Sequence, residues 1–453
     1  MERSSAYSVA RTRAAGIATW LAMLAINLDA AFINVALPSL SRELHISPAQ
    51  SIWVVNAYQI AITASLLSWS ALGGLLSYRR IFLFGILLFS TASATCAFAD
   101  SLEWLVAGRF FQGLGAACMM GIFGAIVRRI YSAGFLARAI SYNALISATA
   151  SALGPAVAGF VLTYSSRTWL FLLAIPLGAA AFLIGYRNLP GTSEETSQFD
   201  WRSGVLNAIT FGGVLFAGAQ LARGDVSLSV WMVASAGLVS GFFLIRRSNR
   251  QDAPLFPLDL LKRPLLRLSY LASTLAFAAA MASLVSLPFY LEHELGVSVV
   301  EAGSLLASWP VGTAVGALTA GRLVSRMRGG LLSSIGMSML ALSLICISML
   351  QPDSDRILVI LLLFGSGLGF GLFQTPNNRS MIVGSPHERG SAAAGLQATA
   401  RLLGQTSGAL LSALILKFGT ERPASTFVIA ACLAVAAAAF STRRLSFATR
   451  VAE

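Results

Sequence analysis

The sequence contains few charged residues for its length. Asp, Glu, Lys and Arg make up 11% of its 453 residues, whereas a soluble globular domain carries about 25%. Hydrophobic residues account for 56% of the chain, and the mean hydropathy is +0.74. Because so few polar side chains could not cover the surface of a globule of this size, the composition excludes a soluble enzyme, a disordered protein and a fibrous protein. It indicates a protein that crosses a membrane many times.

Residue clusters for metal binding or covalent catalysis are also missing from the sequence. The four Cys lie far apart within apolar runs, and the three His stand singly in loops, so neither type forms a metal-ligand group. The chain has no P-loop, no HExxH pair and no nucleophile elbow. We therefore expect no enzymatic activity, no metal, no cofactor and no direct use of ATP.

The sequence does contain many long apolar runs, each near the length of about 20 residues that crosses a bilayer as a helix. Strands of a membrane barrel need about 10 residues each, so these runs are too long for strands. We predict an all-α membrane protein with about 14 spans. The predicted spans are 15–37, 52–76, 81–99, 104–127, 139–164, 169–186, 203–221, 229–245, 268–291, 301–321, 331–350, 357–376, 392–416 and 425–441.

Lys and Arg concentrate in alternate connections between these spans. If the amino terminus is cytoplasmic, 24 of the 32 basic residues fall in cytoplasmic segments and six in outer loops. An excess of Lys and Arg in cytoplasmic loops is the usual orientation signal of membrane proteins. Orientation therefore accounts for the net charge of +13, and we expect no nucleic-acid partner. We predict a monomer in a bacterial cytoplasmic (inner) membrane, with both termini in the cytoplasm.

Two predicted cytoplasmic turns resemble each other and indicate an internal repeat. Gly73 and Gly74 precede the basic pair Arg79 and Arg80 after the second span, and Gly321 begins a similar basic turn after the tenth. Many transporters contain such repeats around a central site, although any tight cytoplasmic turn could select glycine and arginine. The predicted parts are a six-helix bundle (1–186), a linker with two extra spans (187–267) and a second six-helix bundle (268–453).

Asp29 is the acidic residue that lies well inside a predicted span, whereas the other acids fall in loops, tails or span ends. An ionised group in hydrocarbon costs about 2.5–3.5 kcal/mol on insertion scales, so a carboxylate kept there indicates a function. A shielded carboxyl group can hold a proton and release it when water or a cation approaches. The alternative is a structural Asp that is hydrogen-bonded to a neighbouring helix.

Five segments resemble motifs of one transporter family, and they occur in the family's order. They are LDAAFINVALP at 28–38, RFFQGLG at 109–115, GPAVAG at 154–159, WLF at 169–171 and ARLLG at 400–404. In these segments the chain is similar to the fourteen-span drug:proton antiporters of the major facilitator superfamily. The resemblance implies two six-helix bundles and two inserted helices, which expose a central site to each side of the membrane in turn.

The chain also departs from the family pattern at three points. The turn after the second span is shorter than usual and lacks an Asp, which in the family is thought to latch the two bundles in one conformation. Ala31 replaces a Thr near the acid of the first span, and Phe160 replaces the last glycine of the antiporter motif.

The resemblance further implies a role for Arg109 beside Asp29. The permanent charge of Arg109 would tune Asp29 and assist proton transfer. Two structural alternatives are open, because a long Arg side chain near a span end can snorkel to the membrane surface or can pair with the first helix.

A second set of residues in the family motifs is expected to control opening and closing. Proline interrupts helical hydrogen bonds, and glycine allows a second helix to approach closely, so the motif of the fifth span suits a hinge or a sealed interface between bundles. An ordinary proline kink is the alternative. The gating or structural set comprises Gly113, Gly154, Pro155, Gly159, Arg401 and Gly404, in addition to the turn residues above.

Polar and aromatic side chains within the spans are candidates for binding the substrate. An amide in lipid needs a hydrogen-bond partner, and an aromatic ring attracts cations. Most of these side chains could equally join helices to one another, and Trp53 could lie in an interfacial aromatic belt. The candidates are Asn34, Trp53, Tyr58, Gln59, Gln112, Asn143, Trp309 and Gln374.

The leading hypothesis from the sequence is a proton-coupled exporter of small hydrophobic or cationic compounds, in which Asp29 and Arg109 couple proton movement to export. A second hypothesis is an exporter of an endogenous metabolite, in which Asp29 still carries the proton. A third is a facilitator or a non-transporting membrane protein, in which Asp29 is purely structural.

Overall fold

The computed structural model describes residues 9–131, 133–191, 200–251, 254, 256–324, 326–385, 390–418 and 424–445. The regular secondary structure among these residues is helical throughout. A helix satisfies its own backbone hydrogen bonds, which is necessary where lipid replaces water. The predicted all-α class is therefore confirmed.

The helices fall into three consecutive groups along the chain. The N-terminal half contains α1 (Val9–Glu43), α2 (Pro48–Ser51), α3 (Trp53–Leu76), α4 (Tyr78–Ala97), α5 (Leu102–Ile130), α6 (Ala133–Tyr164), α7 (Thr168–Leu172) and α8 (Ala174–Asn188). The inserted pair is α9 (Trp201–Arg223) and α10 (Leu228–Ser248). The C-terminal half contains α11 (Leu258–Leu261), α12 (Pro264–Phe289), a π-helical turn (Tyr290–Glu294), α13 (Val299–Leu306), α14 (Ser308–Leu323), α15 (Gly329–Ser348), α16 (Arg356–Val383), α17 (Gly390–Phe418) and α18 (Ala424–Arg443).

Short polar residues set the ends of several helices. Ser101 caps α5 by accepting a hydrogen bond from the backbone N–H of Trp104, and Asp200 caps α9 through the N–H of Ser203. α9 stops at Gly224, whose φ of 80° lies in the left-handed region that glycine adopts at little cost. The polar breaks between apolar runs therefore define the helices.

Twelve helical segments among the described residues are long and apolar enough to cross a membrane. The predicted spans at 301–321 and 392–416 are not among them. The predicted span 301–321 is divided at Ala307 into α13 and α14, although Ala307 keeps right-handed helical φ and ψ angles and its N–H donates to the Gly303 carbonyl. The region 392–416 is helical but contains Arg401 and several amide and hydroxyl side chains, which lower its hydropathy. Fourteen spans stay a prediction.

The two halves share a hydrophobic core at one end of the molecule. At this end, here called the Arg42 face, α1 terminates and α3 begins, and one cluster of buried side chains runs from Leu37 to Leu306 across both halves. Near the opposite end, the Arg79 face, a buried cluster around Phe82 belongs to the N-terminal half except for Leu402 of α17, and a smaller cluster around Met381 belongs to the C-terminal half. The described apolar packing thus joins the halves most extensively at the Arg42 face.

The inserted pair lies against the seam between the halves. α9 packs on α10 and also contacts α3 of the N-terminal half and α17 of the C-terminal half. Ile60, Leu215 and Leu410 from these three helices meet in one buried cluster. α10 lies outside α9 and leaves large apolar side chains such as Leu238 and Phe242 exposed, as expected of a helix that faces lipid.

Candidate functional site

The centre of the N-terminal half contains a buried ion pair. Asp29 of α1 and Arg109 of α5 are 3% and 0% exposed, and the Arg109 Nη1 donates to the Asp29 Oδ2 at 2.6 Å. Gln112, one turn along α5, donates from Nε2 to the Asp29 Oδ1 at 2.8 Å. Both carboxylate oxygens therefore accept hydrogen bonds from α5.

Neighbouring helices complete the surroundings of this pair. The Arg109 Nε donates to the Val54 carbonyl at 3.0 Å, and the guanidinium lies 4.3 Å from the ring centroid of Tyr58. The Gln112 Nε2 also donates to Ser93 of α4 at 2.8 Å. A β-carbon at Gly113 would lie 2.5 Å from the Tyr58 carbonyl oxygen, so glycine is needed for α5 to approach α3 this closely.

The location of the Arg109 side chain distinguishes snorkelling to the membrane surface from pairing with the first helix. A snorkelling side chain would reach the membrane surface, but Arg109 is fully buried and directed at Asp29, so that alternative is wrong. Opposite charges attract strongly where water is excluded, and a guanidinium left there alone would be unfavourable. The pair therefore ties α1 to α5 through charge as well as packing.

Several of the predicted substrate-binding side chains carry buried polar atoms without a hydrogen-bond partner among the described residues. Polar atoms in that situation are uncommon in folded proteins. Two residues that the predicted set omits, Asn56 and Ser273, share this property. The predicted members are the Asn34 Oδ1, Tyr58 Oη, Gln59 Oε1, Asn143 Oδ1 and Trp309 Nε1 atoms.

The other predicted substrate-binding residues, Gln112, Trp53 and Gln374, are outside this unpartnered group. Gln112 is fully buried and hydrogen-bonded within the Asp29 network. Trp53 makes an edge contact with Phe216 of α9, with ring centroids 5.9 Å apart, and lines an apolar cavity between α3, α5 and α9. Gln374 is half-buried on α16. Sequence spacing placed these residues on spans but could not fix their direction.

The glycine–proline motif of α6 lies at the contact between the halves near the Arg42 face. Gly154 packs against Ala31 of α1, and the Pro155 carbonyl lies against Gly303 of α13. One turn on, a β-carbon at Gly159 would lie 3.0 Å from the Val299 carbonyl oxygen. The motif therefore lies where α1 approaches α6 through the Ala31 methyl group and α13 of the other half approaches it through backbone atoms.

The two turns predicted to repeat one another have different surroundings. Gly73 is crowded by Tyr78 and Ile122, whereas a β-carbon at Gly321 would meet no atom within 4 Å. Arg79 lies over the Tyr186 ring, 5.1 Å from its centroid, and donates to the Tyr186 carbonyl. Arg80 is exposed, and the surroundings of Gly74 fall outside the described residues.

Ser77 alone forms the turn between α3 and α4. It has φ of 82°, and its hydroxyl donates to the Gly191 carbonyl at 2.7 Å. Ser77 and Arg79 thus bind the turn to the segment at the end of α8, within the same half.

Arg401 and Gly404 occupy successive turns of α17. Gly404 packs tightly against the Thr274 carbonyl of α12, within the C-terminal half. Arg401 is half-buried, its Nε has no hydrogen-bond partner among the described residues, and the adjacent Leu402 packs into the N-terminal core. Arg401 therefore lies where α17 meets the other half.

Ser93 and Val54 are site residues that sequence reasoning missed. Ser93 is one of many serines in apolar runs, and the Val54 contribution is a backbone oxygen, so neither carries a signal. Among the described residues, no group of three His, Cys, Asp or Glu could hold a metal.

Comparison with solved structures relates this architecture to known transporters. A crystal structure of a peptide transporter, POT, in complex with sulfate superposes with a TM-score of 0.73 over 99% of this chain and 96% of that chain, at 15% identity. At this identity the likeness shows the fold alone.

Sequence comparison gives closer relatives. The chain is 44% identical to the uncharacterized transporter YebQ of Escherichia coli, over 92% of each protein. It is 27% identical to the riboflavin transporter RibZ of Clostridioides difficile, over 83% of this chain and 82% of that protein. It is also 27% identical to the multidrug efflux pump LfrA of Mycolicibacterium smegmatis, over 86% of this chain and 77% of that protein.

The family model of the major facilitator superfamily matches residues 19–409 and 269–451, which together include both halves and the inserted pair. The twelve apolar helices and the buried charge pair suit a transporter that works within a membrane. The chain is a membrane transporter that belongs to the major facilitator superfamily.

Proposed function

We propose that this chain is a proton-coupled exporter of hydrophobic, cationic compounds that works by alternating access. We place it in the fourteen-span drug:proton antiporter branch, as a monomer in the bacterial cytoplasmic membrane with both termini in the cytoplasm. The observation that carries the proposal is the fully buried contact between Asp29 and Arg109. The similarity to a multidrug efflux pump supports the class of substrate.

In the proposed cycle, Asp29 binds and releases the coupling proton. Protonation neutralises the carboxylate and removes its attraction to Arg109, while Arg109 keeps the Val54 carbonyl and the Tyr58 ring as partners. Because those partners belong to α3, protonation weakens the tie between α1 and α5 without leaving the guanidinium unpartnered. α1 also packs on α12 of the other half, so its release can change how the halves meet.

The proposed substrate path uses the unpartnered polar atoms on both halves. Asn34, Asn56 and Gln59 supply them from α1 and α3, and Trp309 and Ser273 supply them from the C-terminal half. Each of these atoms can form a hydrogen bond with a substrate without first breaking a hydrogen bond to another part of the protein. Gln112 is proposed to hold Asp29 in place and not to contact the substrate.

Everted membrane vesicles with an imposed pH gradient test the proposal. Addition of cationic dyes should dissipate the gradient in vesicles with the parent protein. Asp29→Asn should abolish this response, because the amide cannot exchange a proton. The matched control is Asp100→Asn, which makes the same change at an exposed acid and should behave like the parent. Proton coupling through Asp29 is wrong if Asp29→Asn matches the parent for all active compounds.

An exporter of an endogenous metabolite is the second candidate, because a riboflavin transporter is as similar to this chain as the multidrug pump is. The same vesicles distinguish the two. Dissipation by flavins and related metabolites, with no response to cationic dyes, would favour the metabolite exporter. Uptake of a compound without any change in the gradient would favour a facilitator.

A further inference from the structure

The inserted pair forms a cleft at its Arg79-face end that the proposed transport cycle does not use. The cleft has a volume of about 820 Å³ and lies between the first turns of α9 and the last turns of α10. Its lining combines arginines with apolar and aromatic side chains. The lining residues are Trp201, Arg202, Val205, Leu206, Phe243, Arg246, Arg247, Arg250 and Gln251.

One of the four arginines is already neutralised. Arg247 forms an ion pair with Asp200, with the Nη2 2.9 Å from the Oδ1, and Gln251 and Ser203 also donate to the same carboxylate. Partial burial acts to raise the pKa of Asp200, but these hydrogen bonds outweigh it and hold the pKa well below its ordinary value. Asp200 therefore stays ionised and compensates Arg247.

The other three arginines have no ion pair among the described residues. Arg202 lies over the Trp201 ring, 5.5 Å from its centroid, and Arg246 and Arg250 are exposed at the end of α10. Three uncompensated guanidinium groups in one cleft create a positive potential that attracts an anion. Guanidinium groups bind phosphate oxygens especially well because their N–H groups match the geometry.

The walls of the cleft identify the kind of anion. Val205 and Phe243 are 48% and 51% exposed, and the apolar surface continues along α10 through Phe242 and Val239. A soluble phosphate would leave this apolar wall unused. A molecule with a negative headgroup and hydrocarbon chains would meet both surfaces, as phospholipids do at basic pockets between membrane helices on the cytoplasmic side.

We propose that this cleft binds an anionic diacyl phospholipid, with the phosphate among Arg202, Arg246 and Arg250 and the acyl chains against Val205 and Phe243. The site lies on the face that the distribution of basic residues predicts to be cytoplasmic. The bound lipid anchors the inserted pair to that leaflet. The inference is independent of the substrate and of Asp29.

Native mass spectrometry of the full-length protein in detergent tests the proposal. With equal amounts of phosphatidylglycerol and phosphatidylcholine of the same acyl chains, the parent should retain phosphatidylglycerol preferentially. Arg202→Gln/Arg246→Gln/Arg250→Gln should weaken that retention by about 100-fold, since three cationic contacts are lost. All three positions are exposed, so the fold is not at risk.

Two controls separate a bound lipid from general attraction. The variant Arg326→Gln/Arg328→Gln/Arg379→Gln removes the same charge from exposed positions of the other half and should retain phosphatidylglycerol like the parent. Val205→Trp keeps every charge but places a bulky ring where the acyl chains are proposed to lie, and should weaken retention of the lipid. Equal loss in both triple variants, or full retention by Val205→Trp, would overturn the proposal.

Glycerol 3-phosphate identifies the source of the phosphate. The proposal predicts that this soluble anion does not displace phosphatidylglycerol at equal concentration, because it lacks the acyl chains. Displacement at equal concentration would show a site for soluble anions, and no preference for phosphatidylglycerol in the parent would show no anion site. Either result rejects the lipid site.

Discussion

Arg109 is the largest of the fully buried side chains among the described residues, and it carries a positive charge. Its burial is tolerated because the guanidinium meets the Asp29 carboxylate, the Gln112 amide oxygen, the Val54 carbonyl and the Tyr58 ring. The stability of this buried pair depends on both charges, since a buried charge without its counterion is costly.

The two charges are therefore expected to be strongly coupled in stability. Arg109→Leu should lower the free energy of unfolding by about 3–5 kcal/mol, because it leaves the Asp29 carboxylate buried and unpaired. Asp29→Asn/Arg109→Leu should recover much of that loss, since no charge remains. Thermal unfolding of the parent, both single variants and the double variant in detergent gives the coupling energy. If the losses in the two single variants sum to the loss in the double variant within about 0.5 kcal/mol, the expected coupling is absent.

Sequence patterns located the charged residues but not all of their partners. A lone acid in an apolar run and an arginine in a family motif stand out without a structure, and pairing between them was among the predicted alternatives. The positions of Tyr58, Gln112 and Trp53 depend on the rotation of α3 and α5 about their axes, which small differences in packing decide. For that reason these residues were assigned to substrate binding, whereas the structure places them against Arg109, Asp29 and α9.

At the scale of elements, the contact between α6 and α13 is set by backbone atoms. Gly303 lies against the Pro155 carbonyl, and Gly159 lies against Val299. A methyl group at Gly303 would have to displace backbone, which is less compliant than a side chain. The contact therefore needs glycine at that position.

Gly303→Ala should weaken the seal at the Arg42 face by about 1–3 kcal/mol, although alanine is the better helix former. Gly321→Ala is the matched control, because its methyl group meets no neighbour, and it should leave the protein as stable or slightly more stable. A reporter Ala158→Cys, in a chain carrying Cys346→Ser and Cys432→Ser, should react faster with an impermeant maleimide in the Gly303→Ala background. Equal reaction rates in the two backgrounds would show that this contact does not close the face.

Hydropathy predicted most helices because length and apolarity are properties of a single segment. The interruption at Ala307 has a local cause, because Pro310 cannot donate the helical hydrogen bond to the Leu306 carbonyl and its ring crowds that carbonyl. α17 is the opposite case, because its polar side chains lower its hydropathy while contacts with α12, α3 and α9 surround it with protein. Partners from distant parts of the chain therefore decide the position of α17.

At the scale of the whole molecule, the halves are joined at the Arg42 face by charge as well as by apolar packing. The Arg42 Nη1 lies 2.8 Å from the Glu292 Oε2, and these residues belong to α1 and to the π-helical turn that follows α12. Arg42 is half-exposed, whereas the Glu292 side chain is nearly buried. The ion pair links the halves at the end where their core is continuous.

Reversing one charge of this pair should favour separation of the halves at the Arg42 face. Arg42→Glu places two acids together, and a half-exposed pair is worth up to about 1 kcal/mol, so the open population should rise by about fivefold. Arg42→Glu/Glu292→Arg should restore the parent distribution. Pulsed electron paramagnetic resonance between spin labels at Asp100→Cys and Gln351→Cys, in a chain carrying Cys346→Ser and Cys432→Ser, reports the distance. An unchanged distance distribution in Arg42→Glu would mean that the pair has no influence on the equilibrium.

The position of α9 across the seam has a mechanical consequence for any rocking motion. α9 touches a helix of each half, so when the halves rotate relative to one another it cannot move rigidly with both. It must travel with one half and slide over the other. The apolar cluster of Ile60, Leu215 and Leu410 offers a surface for such sliding, whereas the hydrogen bonds from Asn207 to the Ala64 carbonyl and from Ser68 to the Gly204 carbonyl hold α9 to α3 of the N-terminal half.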